Sequence, residues 1–548
     1  MDRSRSIVGA LLATSSVVAM IAADAGPAYA CSTIGNSGLT NPINTTIPCA
    51  SASNAIITGN VVNAGTISPG GSFGIMLNGG TLNGAIINSG TISVLNGSAA
   101  ANGVWVHGAI VTGGISNSGS IMSSAVDILV DTSPSFGGGI ANSGHLVSAS
   151  ITAIEVFTVS AFTGGITNSG TISAATAIGI EVFTVSTFSG GITNSGHIAS
   201  ESMGIQVLTV STFSGGITNS GHIASESMGI QVSTVSAFTG GIINSGTITP
   251  SKTGIDVNTV STFSGGITNS GTISSSLAGI SVVTVRNFGG GITNSGTLSG
   301  AGSSGAIVVK TVSSFGGGIT NTGHISFTGS GSSVAAIVVA DVSIFSGGIR
   351  NAGTISAEFG AGVRVGITAT GSQIAATTFA GGITNSGTIN AHTGIVVVGG
   401  QTFSGGISNS GTISAAGAGI QIGKTSTNII VPVTSFTGGI TNSGTISGNV
   451  GILVVAASTF GGGISNAGTI SSGGGAGIQI GLVTALGAIA SVATFTGGIT
   501  NSGAIHASGI GIDVLGVTSF SNGISNSGAI TGSVGIVVSG GTAFAGAI

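Results

Sequence analysis

The amino-acid sequence predicts an all-β protein, a parallel β-helix (β-solenoid) of about eighteen coils of roughly 25 residues each. Three observations carry that expectation. An Asn-Ser-Gly corner, or a close variant of it, recurs from Asn63 to Asn526, mostly at spacings of 25 or 26 residues. Phe stands six residues before that Asn in every unit from Phe136 to Phe520, with Ile57, Leu82 and Val111 in its place in the first three units. Between these markers apolar residues alternate in short bursts, such as Ile178, Ile180 and Val182, which is the period of a strand.

A single coil of this kind cannot cover its own apolar residues. Stacking coils at about 4.8 Å pairs each strand with its equivalent in the next coil. It also sets Phe on Phe, as at Phe162, Phe188, Phe213 and Phe238, and Asn on Asn, as at Asn168, Asn194, Asn219 and Asn244. Eighteen coils make a rod on the order of 85 Å long. The stretch "FSGGITNSGHIASESMGIQV" occurs identically at 188–207 and 213–232, which fits duplication of one whole coil.

Composition excludes several alternatives. Gly is 103 of 548 residues without a G-X-Y period, which excludes collagen, and 7 Pro are too few for a polyproline linker. An apolar fraction of 41% with a net charge of -4 argues against disorder. After the first thirty residues six Lys or Arg remain, and they are scattered, so no nucleic-acid partner is expected.

Along the chain, residues 1–30 read as a secretory signal peptide: Arg3 and Arg5, an apolar run, then Ala28-Tyr29-Ala30 at the cleavage site. Residues 31–54 read as an N-terminal cap, with Cys31 and Cys49, the two cysteines of the chain, as a disulfide. A lipoprotein anchor on Cys31 is disfavoured because Ala28 stands where such anchors want Leu. Residues 55–548 form the repeat region. Its most apolar window, 481–495, is broken by Gly, Thr and Ser and reads as a repeat insertion, not a membrane span.

Chemistry-bearing residues are few. Glu155 and Glu181 share a repeat position, followed in that column by Gln206, Gln231 and Asp256. Stacking would set the two carboxyls one rung apart, near the spacing of retaining glycosidases, but an outward polar ladder is the simpler expectation. Glu201 and Glu226, and His197 and His222, pair through the duplication. Thr167, Thr193, Thr218, Thr268 and Thr293 form a possible water-ordering row, interrupted by Ile243 and Arg350. The G-x-S-x-G match at Gly70 to Gly74 has no strand-to-helix elbow to serve it. No catalytic, cofactor-binding or metal-binding residue is assigned, and no cofactor is expected. From Asn351 on, every second unit is lengthened after the same Gly, at Gly366, Gly423 and Gly481. These insertions, with Lys424 in the second, are expected to project from one side as a recognition ridge.

The recurring "GGITNSGTIS" after a signal peptide resembles the passenger region of bacterial autotransporters, the type V secretion proteins. The resemblance covers residues 55–548 and implies a right-handed β-helix, exported through the periplasm to the outer-membrane surface or the extracellular space. It further implies a C-terminal β-barrel translocator. The sequence closes on Phe544 to Ile548, the start of another repeat, so the chain is expected to continue towards that barrel. The function expected from the resemblance is a structural stalk or adhesin contacting a host or cell-surface ligand. A secreted β-helical carbohydrate-active enzyme, a lyase or glycoside hydrolase, is the alternative.

Overall fold

One coil shows how these residues make the fold. Thr187–Phe188 is a strand ending in a buried ring, and Gly191 turns the chain at a φ of 69°. The strand Ile192–Asn194 follows, then the Ser195-Gly196 corner, then His197–Ser200 and Met203–Leu208. Thr209 turns the chain into Thr212–Phe213 of the next coil. The inward residues Phe188, Ile192, Ile198, Ile205 and Val207 are buried.

The computed structural model describes residues 30–68, 71–95, 101–302, 305–329, 334–366, 378–400, 402–425, 429–484 and 487–548. The expected signal peptide lies outside them apart from Ala30. Described residues are all-β and contain no helix. The three-residue strands ending in Asn stack into a 19-stranded parallel sheet, and the other strands of each coil join a 51-stranded sheet. Register is residue for residue: Phe188 meets Phe213, Ile192 meets Ile217 and Asn194 meets Asn219. The fold is therefore the expected parallel β-solenoid.

Two columns run the length of the stack. From Phe136 to Phe544, successive rings lie 4.7 to 5.0 Å apart and within 9° of parallel. The Asn column is tied by hydrogen bonds. From Asn41 to Asn501, each Nδ2 donates to Oδ1 of the Asn one coil later at 2.7 to 2.8 Å. The backbone carbonyl of Asn168 accepts from the amides of Ser195 at 2.8 Å and Gly196 at 3.1 Å, and the same pattern repeats at the other corners. Gly196 is obligatory at this contact, since a Cβ there would sit 2.1 Å from the carbonyl oxygen of Gly170.

The Asn column starts one coil earlier than the repeat motif suggests. Leu39–Asn41 pairs with Val61–Asn63, so the segment read as the cap already contributes a rung. Asn41 is followed by Pro42 and lacks the Ser-Gly that marks the later corners. At this end Cys31 and Cys49 are joined in a disulfide, with Cα atoms 4.6 Å apart, and the adjoining Ser32 and Thr33 pair with Ala50 and Ser51.

A second corner is built against local preference. Eight threonines from Thr132 to Thr311 adopt left-handed backbone with φ between 53° and 58°. A β-branched residue is strained there by about 1–2 kcal/mol. The conformation is held from above: the amide of Thr184 donates to the carbonyl of Leu208, and that of Thr209 to Ser233, both at 3.1 Å. Gly79 and Gly108 take the same corner nearer the N-terminal end at φ of 69° and 61°.

Asn219→Ala would leave the buried Nδ2 of Asn194 and Oδ1 of Asn244 without their partner. It is expected to cost about 2–4 kcal/mol. Thr193→Ala, on the exposed side of the same sheet, should change stability by less than about 0.5 kcal/mol in the same unfolding experiment. Thr209→Asn relieves the left-handed strain and is expected to stabilise the rod by up to about 1 kcal/mol, read as a raised melting temperature.

Candidate functional site

Because the core is uniform, function has to lie in outward positions. The longest strand of each coil carries one such position between two inward residues, as Glu155 does between Ile154 and Val156. Stacking joins these positions into one column: Trp105, Leu129, Glu155, Glu181, Gln206, Gln231, Asp256 and Ser281, then Val308 and Val338. Glu155 and Glu181 are thus direct neighbours, and the column is polar from Glu155 to Ser281; beyond Val338 it runs through the buried Arg364, Val396, the buried Gln421 and Leu453 to Gln479 and Asp513.

The polar stretch begins in a cluster. Asp131, two residues beyond Leu129 on the same strand, accepts from Trp105 Nε1 at 2.8 Å and lies 3.0 Å from His107 Nδ1. The Trp105 and His107 rings meet edge-on with centroids 5.7 Å apart. On the next two coils Phe157 and Phe183 stack at 5.4 Å beside Glu155 and Glu181. The Glu155 carboxyl is pushed up to about 8 by burial, then by the neighbouring Glu181 and Asp131. The Glu181 carboxyl is pushed up to about 7 by burial, opposed by a hydrogen bond from Thr152 Oγ1 at 3.4 Å. Further along, Gln206 Nε2 donates to Gln231 Oε1 at 2.6 Å, and Asp256 is raised by burial against hydrogen bonds from Ser281 and Gln231.

One carboxyl sits inside the rod. Asp127 is fully buried and precedes Ile128, so it occupies the position held by Gly103 in the coil before and Ala153 in the coil after. Ser123 Oγ donates to its Oδ1 at 2.8 Å, whereas Oδ2 has no hydrogen-bond partner. Burial raises its pKa well above the usual carboxylate value. Sequence reasoning passed over Asp127 and the Trp105–His107–Asp131 contact. The available signals were an Asp where aligned units have Gly or Ala, and polar residues one repeat apart.

The insertions leave the rod at one column. Val365, Val397, Ile422, Val454 and Ile480 are stacked neighbours, so Gly366, Gly423 and Gly481 all open the chain outward at the same corner on alternate coils. Their φ values are 100°, 79° and 82°, and a Cβ at Gly423 would meet the carbonyl of Val455 at 1.8 Å. Residues 367–377 lie outside the described set. The other two insertions fold back onto the rod. Lys424 bridges to Ile430, and Leu482–Val483 pairs antiparallel with Ile489–Ala490. Val431 packs against an apolar cluster that includes Val396 and Val398, and Ile430 and Leu482 against a second cluster of Ala418, Leu453 and Val455. The insertions at Gly423 and Gly481 are therefore partly a cover over these two clusters, with Ile429, Val483 and Ile489 exposed. Burial lowers the Lys424 ammonium from its usual value.

The remaining candidates stay apart. Glu201 and Glu226 are exposed at corners, and the His197 and His222 rings are neighbours with centroids 4.9 Å apart, tilted by 54°. Burial, then the neighbouring His197, lowers His222. The Thr167 row is in register and exposed, with Ile243 46% exposed within it. Among the described residues no group of three or more His, Cys, Asp or Glu is placed to hold a metal ion.

Replacing Ile430 and Val431 together by Ser should uncover the two apolar clusters beneath them. The expected result is increased binding of a hydrophobic dye with the β-sheet circular dichroism unchanged. Among protein-family models, curated proteins and solved structures, nothing matches this chain.

Proposed function

We propose that the chain is an exported structural and interaction protein, an autotransporter-like passenger serving as a stalk or adhesin at the outer-membrane surface or outside the cell. The observation that carries this reading is the uninterrupted Asn column, which gives a rod of repeating cross-section with widely spaced charges. Such a rod supplies reach and a broad contact surface at little cost in sequence complexity. The insertions at Gly366, Gly423 and Gly481 are its irregular surface, and the place to look for contact with a host or cell-surface ligand. A translocating β-barrel, in the same gene or beside it, belongs to this reading. The test is an epitope inserted after Gly487 in the full-length protein of the source organism. External protease should remove the epitope from intact cells; an epitope protected until the cells are lysed would defeat the proposal.

A second reading, a secreted carbohydrate-active enzyme, draws on one observation. His107, Asp131, Glu155 and Glu181 lie on four consecutive coils beside Trp105. Two carboxyls one rung apart approach the separation of about 5–5.5 Å used by retaining glycosidases. Turnover of a glycan panel by the purified chain, lost at least 100-fold in Glu181→Gln, would establish this reading in place of the structural one.

A further inference from the structure

We propose that residues 117–194 form an acid-held segment of the rod, whose coils part locally when Asp127, Glu155 and Glu181 ionise, while the coils beyond it stay closed.

The argument begins with what is missing. Residues 31–251 contain Asp127, Asp131, Glu155, Glu181, Glu201 and Glu226 but no Lys or Arg. Glu201 and Glu226 are exposed. The other four acids fall on three consecutive coils and are covered to differing degrees. Asp127 faces Ser123 in its own coil, Gly103 below and Ala153 above, so no charged group meets it. Glu155 faces Leu129 and the nearby Asp131 below, and Glu181 above. Glu181 faces Glu155 below and Gln206 above, with Thr152 beside it. His107 is the one basic side chain at the cluster, and it is engaged with Asp131.

Parallel stacking leaves these groups no means of retreat. A strand that keeps its ladder must hold its side chains at one rung from their equivalents, so ionised Glu155 and Glu181 face each other at about 4.8 Å. An ionised Asp127 would be a core charge with no cation beside it, held only by the hydroxyl and backbone of Ser123, which is strongly unfavourable. The protonated forms remove both problems. All three carboxyls are raised by burial, so the folded state binds protons that the unfolded chain releases. The sign follows directly: the contribution of Glu155 and Glu181 is fully present below about pH 4 and is lost as pH rises through about 7 to 8, and Asp127 acts in the same direction. Neither the Phe column nor the Asn column titrates, so the effect stays within these coils.

The test is amide hydrogen exchange of residues 31–548 at pH 5.5 and pH 9. Residues 267–302 of the same molecule, which hold no acid or His, serve as the internal reference. Protection of residues 117–194 relative to the reference should fall about ten-fold or more at the higher pH. Asp127→Ala combined with Glu155→Gln should reduce that fall at least three-fold, leaving only the part that belongs to Glu181. Should this variant fail to fold, Glu155→Gln with Glu181→Gln leaves the core untouched and should at least halve it. Equal relative protection at both pH values in the unaltered protein, or an undiminished fall in the folded variant, would overturn the proposal.

Discussion

The whole structure depends on one constraint: each coil must offer the next the same hydrogen-bonding edge, in the same register, one rung away. Parallel pairing in register brings identical positions together, so any residue type that recurs in sequence becomes a column in space. Asn suits this because its side chain both donates and accepts, and it can therefore bond to a copy of itself. Phe suits it because a flat ring stacks on its copy. An ionised residue does not suit it, since its copy repels it. The low charge of the chain follows from that geometry.

How much could be read in the sequence follows from the same constraint. Columns show as periodicity, so the Phe and Asn stacks, the Glu155–Glu181 pairing and the shared exit of the long insertions were all legible. What breaks periodicity was not. Asn41 opens the Asn column without the Gly that every later corner carries two residues on, after Ser or, at Ala64, Thr322, Ala352 and Ala467, after Ala or Thr. Thr184 and its equivalents turn the chain with left-handed backbone, although Thr is a poor candidate for it. Their conformation is imposed by hydrogen bonds from a neighbouring coil, which local propensity does not encode. The fold-back of Ile430 and Leu482 was hidden for a similar reason, since it depends on the apolar side chains that an adjacent coil presents.

The outer column shows how one scaffold carries two chemistries. Around Glu155 it is acidic and partly open; around Val338, Val396 and Leu453 it is closed, with the buried Arg364 and Gln421 standing between these apolar side chains. The backbone is the same in both. A solenoid can vary this position without disturbing the core because outward and inward residues alternate along the strand. Asp127 is the exception, since it places a carboxyl on the inward side where neighbouring coils have only Gly or Ala.

The Asn column also has a direction. Every amide donates towards the C-terminal end, and at the other end Thr45 Oγ1 donates to Oδ1 of Asn41. The column behaves like a file of arrows: a coil fits in one orientation, and its two faces are never interchangeable. Doubling of the segment at 188–207 and 213–232 respects this rule automatically, because a tandem copy has the same heading as its parent. In this respect the rod lengthens as a crystal does, by laying down another plane of a polar lattice, with heredity supplying the planes.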